Sequence, residues 1–199
     1  MNIIATDCVG GLIYKHAKQV YSNPFIYTFV SFMDMLYMGS HFDEINWANI
    51  SDIDISSLWP NTLYFEINNK IKIHFRHDIF VERNNVNVHR EGTSLYGSFN
   101  KMLPYMINTY YRRVQRMIHN GEPPIFIMHE FPRKLDINDS CYPVADTWGN
   151  KYELFVLTTK KVSYSNNKIK TLTFNQMSVP SYNCPEVIKM SNILIKGDA

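Results

Sequence analysis

The chain has few cysteines, little net charge, no long apolar run and no repeat, and each of these absences removes a class of protein. Three cysteines, Cys8, Cys141 and Cys184, stand far apart in 199 residues. An odd count at such spacing builds neither a disulfide framework nor a zinc site, so reduced thiols and a cytoplasmic location are expected. The formal charge of +2 is too small to argue for a nucleic-acid partner, and none is expected. The most apolar window, Pro24 to Met38, is interrupted by Ser31 and Asp34. It falls short of the roughly 20 apolar residues of a membrane helix, so no membrane span is expected. The first residues carry neither a basic region nor a long apolar stretch, which predicts no secretory signal. No metal-ligand spacing stands out, and neither a metal nor a cofactor is expected. Asp52-Ile53-Asp54 has the letters of an Asp-x-Asp motif, but it lies in a short polar segment.

What is present is an ordinary globular composition, 45% apolar and 19% charged, rich in aromatic residues, with 13 Tyr and 12 Phe. The length fits one domain over residues 1–199, large enough to bury a core without disulfides. Aromatic side chains fill such a core, and they also line sugar sites.

Hydrophobic patterning gives a coarse order of elements. Asn2 to Ala5 reads as a short buried strand, Gly11 to Val20 as a helix broken by Tyr21-Ser22-Asn23-Pro24, and Phe25 to Met38 as a buried helix. Thr62 to Ile67 and Lys70 to Phe75, joined by Asn68-Asn69, read as a tight hairpin. Phe80 to Gly97 is mixed and polar. Ser98 to Ile118 is the clearest helix, because Met102, Met106, Tyr110, Val114 and Met117 recur at the helical period. Ile125 to Met128 and Glu153 to Thr158 read as buried strands, and Asp136 to Asn150 as a surface loop. Val162 to Tyr164 and Ile169 to Phe174 read as a C-terminal hairpin, and the tail from Met177 shows little periodicity. The fold class expected is α/β: a layered domain with a mixed, partly parallel sheet flanked by helices, plus the C-terminal hairpin.

The best candidate for chemistry is Cys8. It follows a short apolar strand and precedes Gly10 and Gly11 and a helical pattern. At a strand-to-helix junction, backbone N–H groups and the helix dipole can stabilise a thiolate, and the two glycine amides can stabilise an oxyanion. The competing reading is a buried cysteine that only packs. His74, His77 and Asp78 close one apolar run, and His129 and Glu130 close another. On an alternating strand His74 and Arg76 share one face, and Phe75 and His77 share the other. With Phe75 inward, His77 emerges at the edge of the core as a base for the cysteine. Arg112, Arg113 and Arg116 share one side of the long helix, where they either bind an anion or form a solvated face.

Thr6-Asp7-Cys8-Val9-Gly10-Gly11-Leu12-Ile13-Tyr14, followed by Tyr21-Ser22-Asn23-Pro24, resembles a bacterial family found among exopolysaccharide and capsule biosynthesis genes. That family opens on Asn-Asn-Cys-Trp-Gly-Gly-x-Ile-Tyr and then a Tyr-x-Ser-Pro step. Ile73-His74-Phe75-Arg76-His77 resembles its Ile-His-Phe-x-His strand, and Tyr111 to Ile118 resembles its arginine helix. Here Val9 stands for the tryptophan and Asp7 for an asparagine. The order Cys, His, Arg-Arg is also similar to a family of papain-like cysteine peptidases. The resemblance implies a setting in surface-polysaccharide biosynthesis, Cys8 as the thiol, His77 as its base, and the helix of Arg112, Arg113 and Arg116 tied to the site, but it supplies no reaction. The function expected from residues and resemblance together is a cysteine-dependent acyl-transfer or hydrolytic enzyme, with Asp7, His74, Asp78, His129 and Glu130 in support and a carbohydrate or sugar-linked substrate. Two further readings stay open: a carbohydrate or nucleotide-sugar binding protein, and a glycosyltransferase.

Overall fold

The computed structural model describes residues 1–19, 23–83, 85–90, 93–130, 152–161 and 169–197. The expected loop 136–150, the first arm of the C-terminal hairpin and Cys141 lie outside these residues. The fold class is α/β, as the patterning requires, with its parallel and antiparallel pairings segregated into two sheets rather than mixed in one.

The first sheet is parallel. Its strands are β1 (Asn2–Ala5), β8 (Pro124–His129), β9 (Glu153–Thr158) and β10 (Ile169–Thr173), in the order β1-β8-β9-β10. Ile169–Thr173, expected as one arm of a hairpin, pairs in parallel with β9 instead. The second sheet is antiparallel: β3 (Ile50–Ile55), β4 (Thr62–Ile67), β5 (Ile71–Glu82), β6 (Asn85–Arg90) and β7 (Thr93–Ser98) follow one another, and β2 (Thr28–Val30) pairs with β5. The helices are α1 (Val9–His16), α2 (Phe32–His41), α3 (Phe99–Asn120) and α4 (Pro185–Lys196).

The burial pattern explains the layering. The parallel strands are apolar on both faces, as strands covered on both sides must be. Ile3, Ala5, Ile127 and Phe155 pack with Val9 and Ile13 of α1 and Val187 and Met190 of α4. Ile4, Phe126, Met128 and Val156 pack on the other side with the antiparallel sheet and α3. All five periodic positions of α3 are buried. Gly121, in the left-handed region at φ +59°, ends that helix.

Several local expectations change. The window 25–38 divides into β2 and α2, because Ser31 caps α2 by accepting a hydrogen bond from the Asp34 amide at 3.0 Å. A continuous apolar run carries no period that separates strand from helix. The Asn68-Asn69 turn forms as expected, both residues having positive φ. The polar stretch after Phe80 forms β6 and β7, with Val86 and Val88 as the buried side of the alternation. The tail forms α4, with Pro185 in its first turn and Gly197 as its left-handed cap. No helix among the described residues is long and apolar enough to cross a membrane.

Candidate functional site

The turn after β1 is pinned between the two sheets. The Thr6 amide donates to the Ile127 carbonyl at 3.0 Å, and the Thr6 carbonyl accepts from Val30 of β2 at 3.3 Å. The Thr6 hydroxyl accepts from the His129 amide at 3.0 Å. Asp7 Oδ1 then accepts from the Val9 amide at 2.9 Å and so caps α1, leaving Cys8 as the residue from which the helix starts. Cys8 thus lies at the carboxyl end of a parallel strand, where open α/β sheets hold their ligands.

Across from it, β5 carries an unusually large irregularity. Leu63 pairs with Phe75, yet the preceding Thr62 pairs with Phe80. β2 pairs only as far as Phe75, and β6 begins at Ile79. Arg76, His77 and Asp78 therefore have no ladder partner among the described residues. Strict alternation puts Arg76 and His77 on opposite faces; the bulge releases both toward one cavity. A cavity of about 290 Å³ is lined by Asp7, Cys8, Leu12, Tyr27, Phe29, Trp59, Arg76, His77, Val179 and Pro180.

The aromatic wall is built from three elements. Trp59 is held by its own turn, its amide donating to Ser56 Oγ at 2.9 Å and its carbonyl accepting from Thr62 Oγ1 at 2.6 Å. Its ring stacks on Phe29 at 5.1 Å and 11°. The Arg76 guanidinium lies 5.4 Å above the Phe29 ring. Tyr27 meets His77 edge-on at 5.3 Å. Gly11 makes room for that contact: a Cβ there would lie 2.7 Å from the Tyr27 ring. Tyr27 itself sits in the left-handed region, at φ +53°, which favours a small residue and is held here by its packing.

The thiol and imidazole are in complementary protonation states. Burial pushes the Cys8 thiol up to about 12, with the Asp7 charge adding to the rise and Arg76 opposing it. Burial lowers the His77 pKa, Arg76 lowers it further, and Asp78 acts the other way. The thiol is protonated and the imidazole neutral at physiological pH. No hydrogen bond joins the two. The expectation of a helix-activated thiolate is therefore corrected: the desolvation of a residue only 8% exposed, with the Asp7 charge, outweighs the lowering by Arg76 and the backbone hydrogen bond.

The remaining expected residues separate from the cavity. Gly10 and Gly11 do not line it. Gly10 instead brings α1 close to β1, since a Cβ there would lie 3.0 Å from Ala5 Cβ. His129 is buried and its Nδ1 lies 2.6 Å from Asp7 Oδ2. Glu130 closes the end of β9, its Oε2 accepting from Thr158 Oγ1 at 2.6 Å and the Thr159 amide at 2.8 Å. Burial would raise the Glu130 carboxyl, but these hydrogen bonds outweigh it and hold it below the usual range. His74 lies behind the wall between Trp59 and Tyr64, and burial followed by the Lys72 charge lowers its pKa. Asp78 accepts from Arg113 Nη2 at 2.7 Å, which ties the bulge to α3. Arg112, Arg113 and Arg116 do not line the cavity, and Arg76 is the cation that does. Asp52 and Asp54 lie on β3 and make hydrogen bonds to Tyr64 and the Ile55 amide. No group of His, Cys, Asp and Glu among the described residues could hold a metal ion.

Sequence reasoning missed the aromatic wall and Arg76. Stacking of Trp59 on Phe29 depends on a turn and a strand that meet only in the fold.

Fold and site together define a two-sheet α/β domain with a buried thiol, an imidazole and an arginine around one aromatic cavity. Residues 1–89 are similar to a domain family described as a domain of unknown function, DUF1919. That segment includes every residue lining the cavity except Val179 and Pro180. No curated protein matches the chain.

Proposed function

We propose that this protein is a cysteine- and histidine-dependent acyl-transferase or hydrolase acting on an anionic sugar-linked substrate, in cytoplasmic steps of surface-polysaccharide biosynthesis. The observation that carries this reading is that Cys8 and His77, 69 positions apart in sequence, line one cavity with Arg76 and the Phe29–Trp59 stack. The polysaccharide setting rests on the motif resemblance of the first 130 residues.

The proton inventory favours general-base catalysis over a resting thiolate. With the thiol at about 12, the thiolate fraction at pH 7 is roughly one part in 10⁵, too small for direct attack. His77 is neutral and able to take a proton. As the Cys8 sulfur attacks an acyl carbonyl carbon, the thiol proton passes to His77. The acyl–oxygen bond then breaks, the departing sugar oxygen takes the proton from His77, and a thioester is left on Cys8. Water or an acceptor hydroxyl, giving its proton to His77, then attacks the thioester carbon. The carbon–sulfur bond breaks, and the Cys8 sulfur takes the proton from His77 as the acyl group leaves on the acceptor. Arg76 pairs with a carboxylate or phosphate on the sugar, and the Phe29–Trp59 stack supports a sugar face.

A second reading, a non-catalytic binding protein for such a sugar, is favoured by the raised thiol pKa. The two are separated by acetate release from O-acetylated glucuronic acid and O-acetylated glucose. The enzyme reading expects faster release from the anionic sugar, loss of release in Cys8→Ala, and loss of the preference in Arg76→Gln. Binding of the anionic sugar with no acetate release, unchanged by Cys8→Ala, supports the binding protein and overturns the enzyme.

A further inference from the structure

A second cleft lies away from the thiol, between the edge strand β10 and helix α4. Its volume is about 760 Å³, within the range of small-molecule sites. Its walls are largely apolar: Phe155, Leu172 and Phe174 on the sheet side and Ile188 on the helix. Two lysines line it, Lys170 from the strand and Lys189 from the helix. Each ammonium lies over an aromatic ring of the cleft, Lys170 at 5.3 Å from Phe155 and Lys189 at 5.4 Å from Phe174. Both charges therefore lie over the aromatic lining of the cleft, with their stems adding to its apolar surface. Among the described residues, no acidic residue lines the cleft. Glu153 pairs with Lys170 at 3.2 Å, but both side chains are about two-fifths exposed, so water screens this pair. Lys189 has no ion-pair partner among the described residues.

We propose that this cleft binds an anionic amphiphile, a single alkyl chain ending in a phosphate or carboxylate. The apolar floor takes the chain, and the two ammonium groups converge on the head. The proposal is independent of the Cys8 chemistry, since no residue is shared by the two cavities. A neutral lipid leaves Lys189 without an ion-pair partner among the described residues and Lys170 with only its water-screened pair to Glu153. A bare anion leaves the floor empty. Only the combined chemistry uses both.

Isothermal titration calorimetry of the full chain with dodecyl phosphate, dodecanoate, dodecanol and inorganic phosphate, below micelle concentrations, tests this. One site per chain is expected for dodecyl phosphate or dodecanoate, and the tighter of the two identifies the head. Dodecanol should bind at least about tenfold more weakly, and inorganic phosphate not measurably. Shortening dodecyl to decyl phosphate should weaken binding about fifteenfold, as the lost burial of two methylenes requires. Exposed Lys189→Ala should weaken the anionic ligand about three- to tenfold and leave dodecanol unchanged. Ile188→Asp should weaken every chain-bearing ligand. Absence of binding, equal affinity for dodecanol, or an inert Lys189→Ala overturns the proposal. So does light scattering that finds the free chain dimeric with this cleft inaccessible to every ligand.

Discussion

Two stretches of this chain end an apolar run on a histidine followed by an acid, and the fold uses them in opposite ways. His129-Glu130 closes a parallel strand whose pairing with β9 runs through His129, and both side chains turn into the structure. His129 meets Asp7, and Glu130 gathers the Thr158 and Thr159 donors. His77-Asp78 falls in a bulge with no ladder partner among the described residues. There His77 is left exposed to the Cys8 cavity, and Asp78 is tethered to Arg113. Backbone pairing, not the residue pair itself, decides which histidine is structural and which is available to a ligand.

The comparison breaks most visibly in stability. Asp7 is buried, bonded to His129 and capping α1. Asp7→Ala should cost about 3 kcal/mol in urea unfolding, from a buried partner left unsatisfied and a lost cap. His77→Ala, at an exposed position, should cost under about 1 kcal/mol. Equal costs would erase the distinction between the two regions. Gly11→Ala comes next. Its Cβ would sit 2.7 Å from the Tyr27 ring, so the ring must shift, at about 1–3 kcal/mol. The Tyr27–His77 contact should be lost with it, seen as a moved His77 ring resonance in NMR. An unmoved resonance would show that Gly11 does not position the imidazole.

The smallest effect concerns pH. His74 has a lowered pKa, so the unfolded chain binds its proton more readily. The stability this contributes is present above about pH 6.5, the ordinary histidine value, and is lost as pH falls. His74→Phe should flatten the decline in stability between about pH 7 and pH 5 by under about 1 kcal/mol. A steeper decline in the variant would reverse the sign and reject the assignment.

Much of this was legible in the sequence, and the failures have physical causes. The strand before Cys8, the Asn68-Asn69 turn and the buried stripe of α3 follow from local period and turn chemistry. The position of Cys8 at a strand–helix junction and of His77 beside its cavity followed as well. The clamp on α3 did not: Arg113 neutralises Asp78 within the protein, and Arg76 lines the cavity instead. A bulge leaves no mark in the alternation of side chains, so nothing in Ile73 to His77 indicated that Arg76 and His77 would share a side. The division of Phe25 to Met38 into strand and helix turned on one serine cap.

The central claim is that His77 removes the Cys8 proton during acyl transfer. The direct test is acetylation of Cys8 by p-nitrophenyl acetate at neutral pH, followed by peptide mass spectrometry in wild type and His77→Ala. The account predicts an acetyl group on the Cys8 peptide in wild type, formed at least about a hundredfold more slowly in the variant, the usual size of a lost general base. Equal rates in the two proteins, or acetyl found only on the Cys184 peptide, would contradict it.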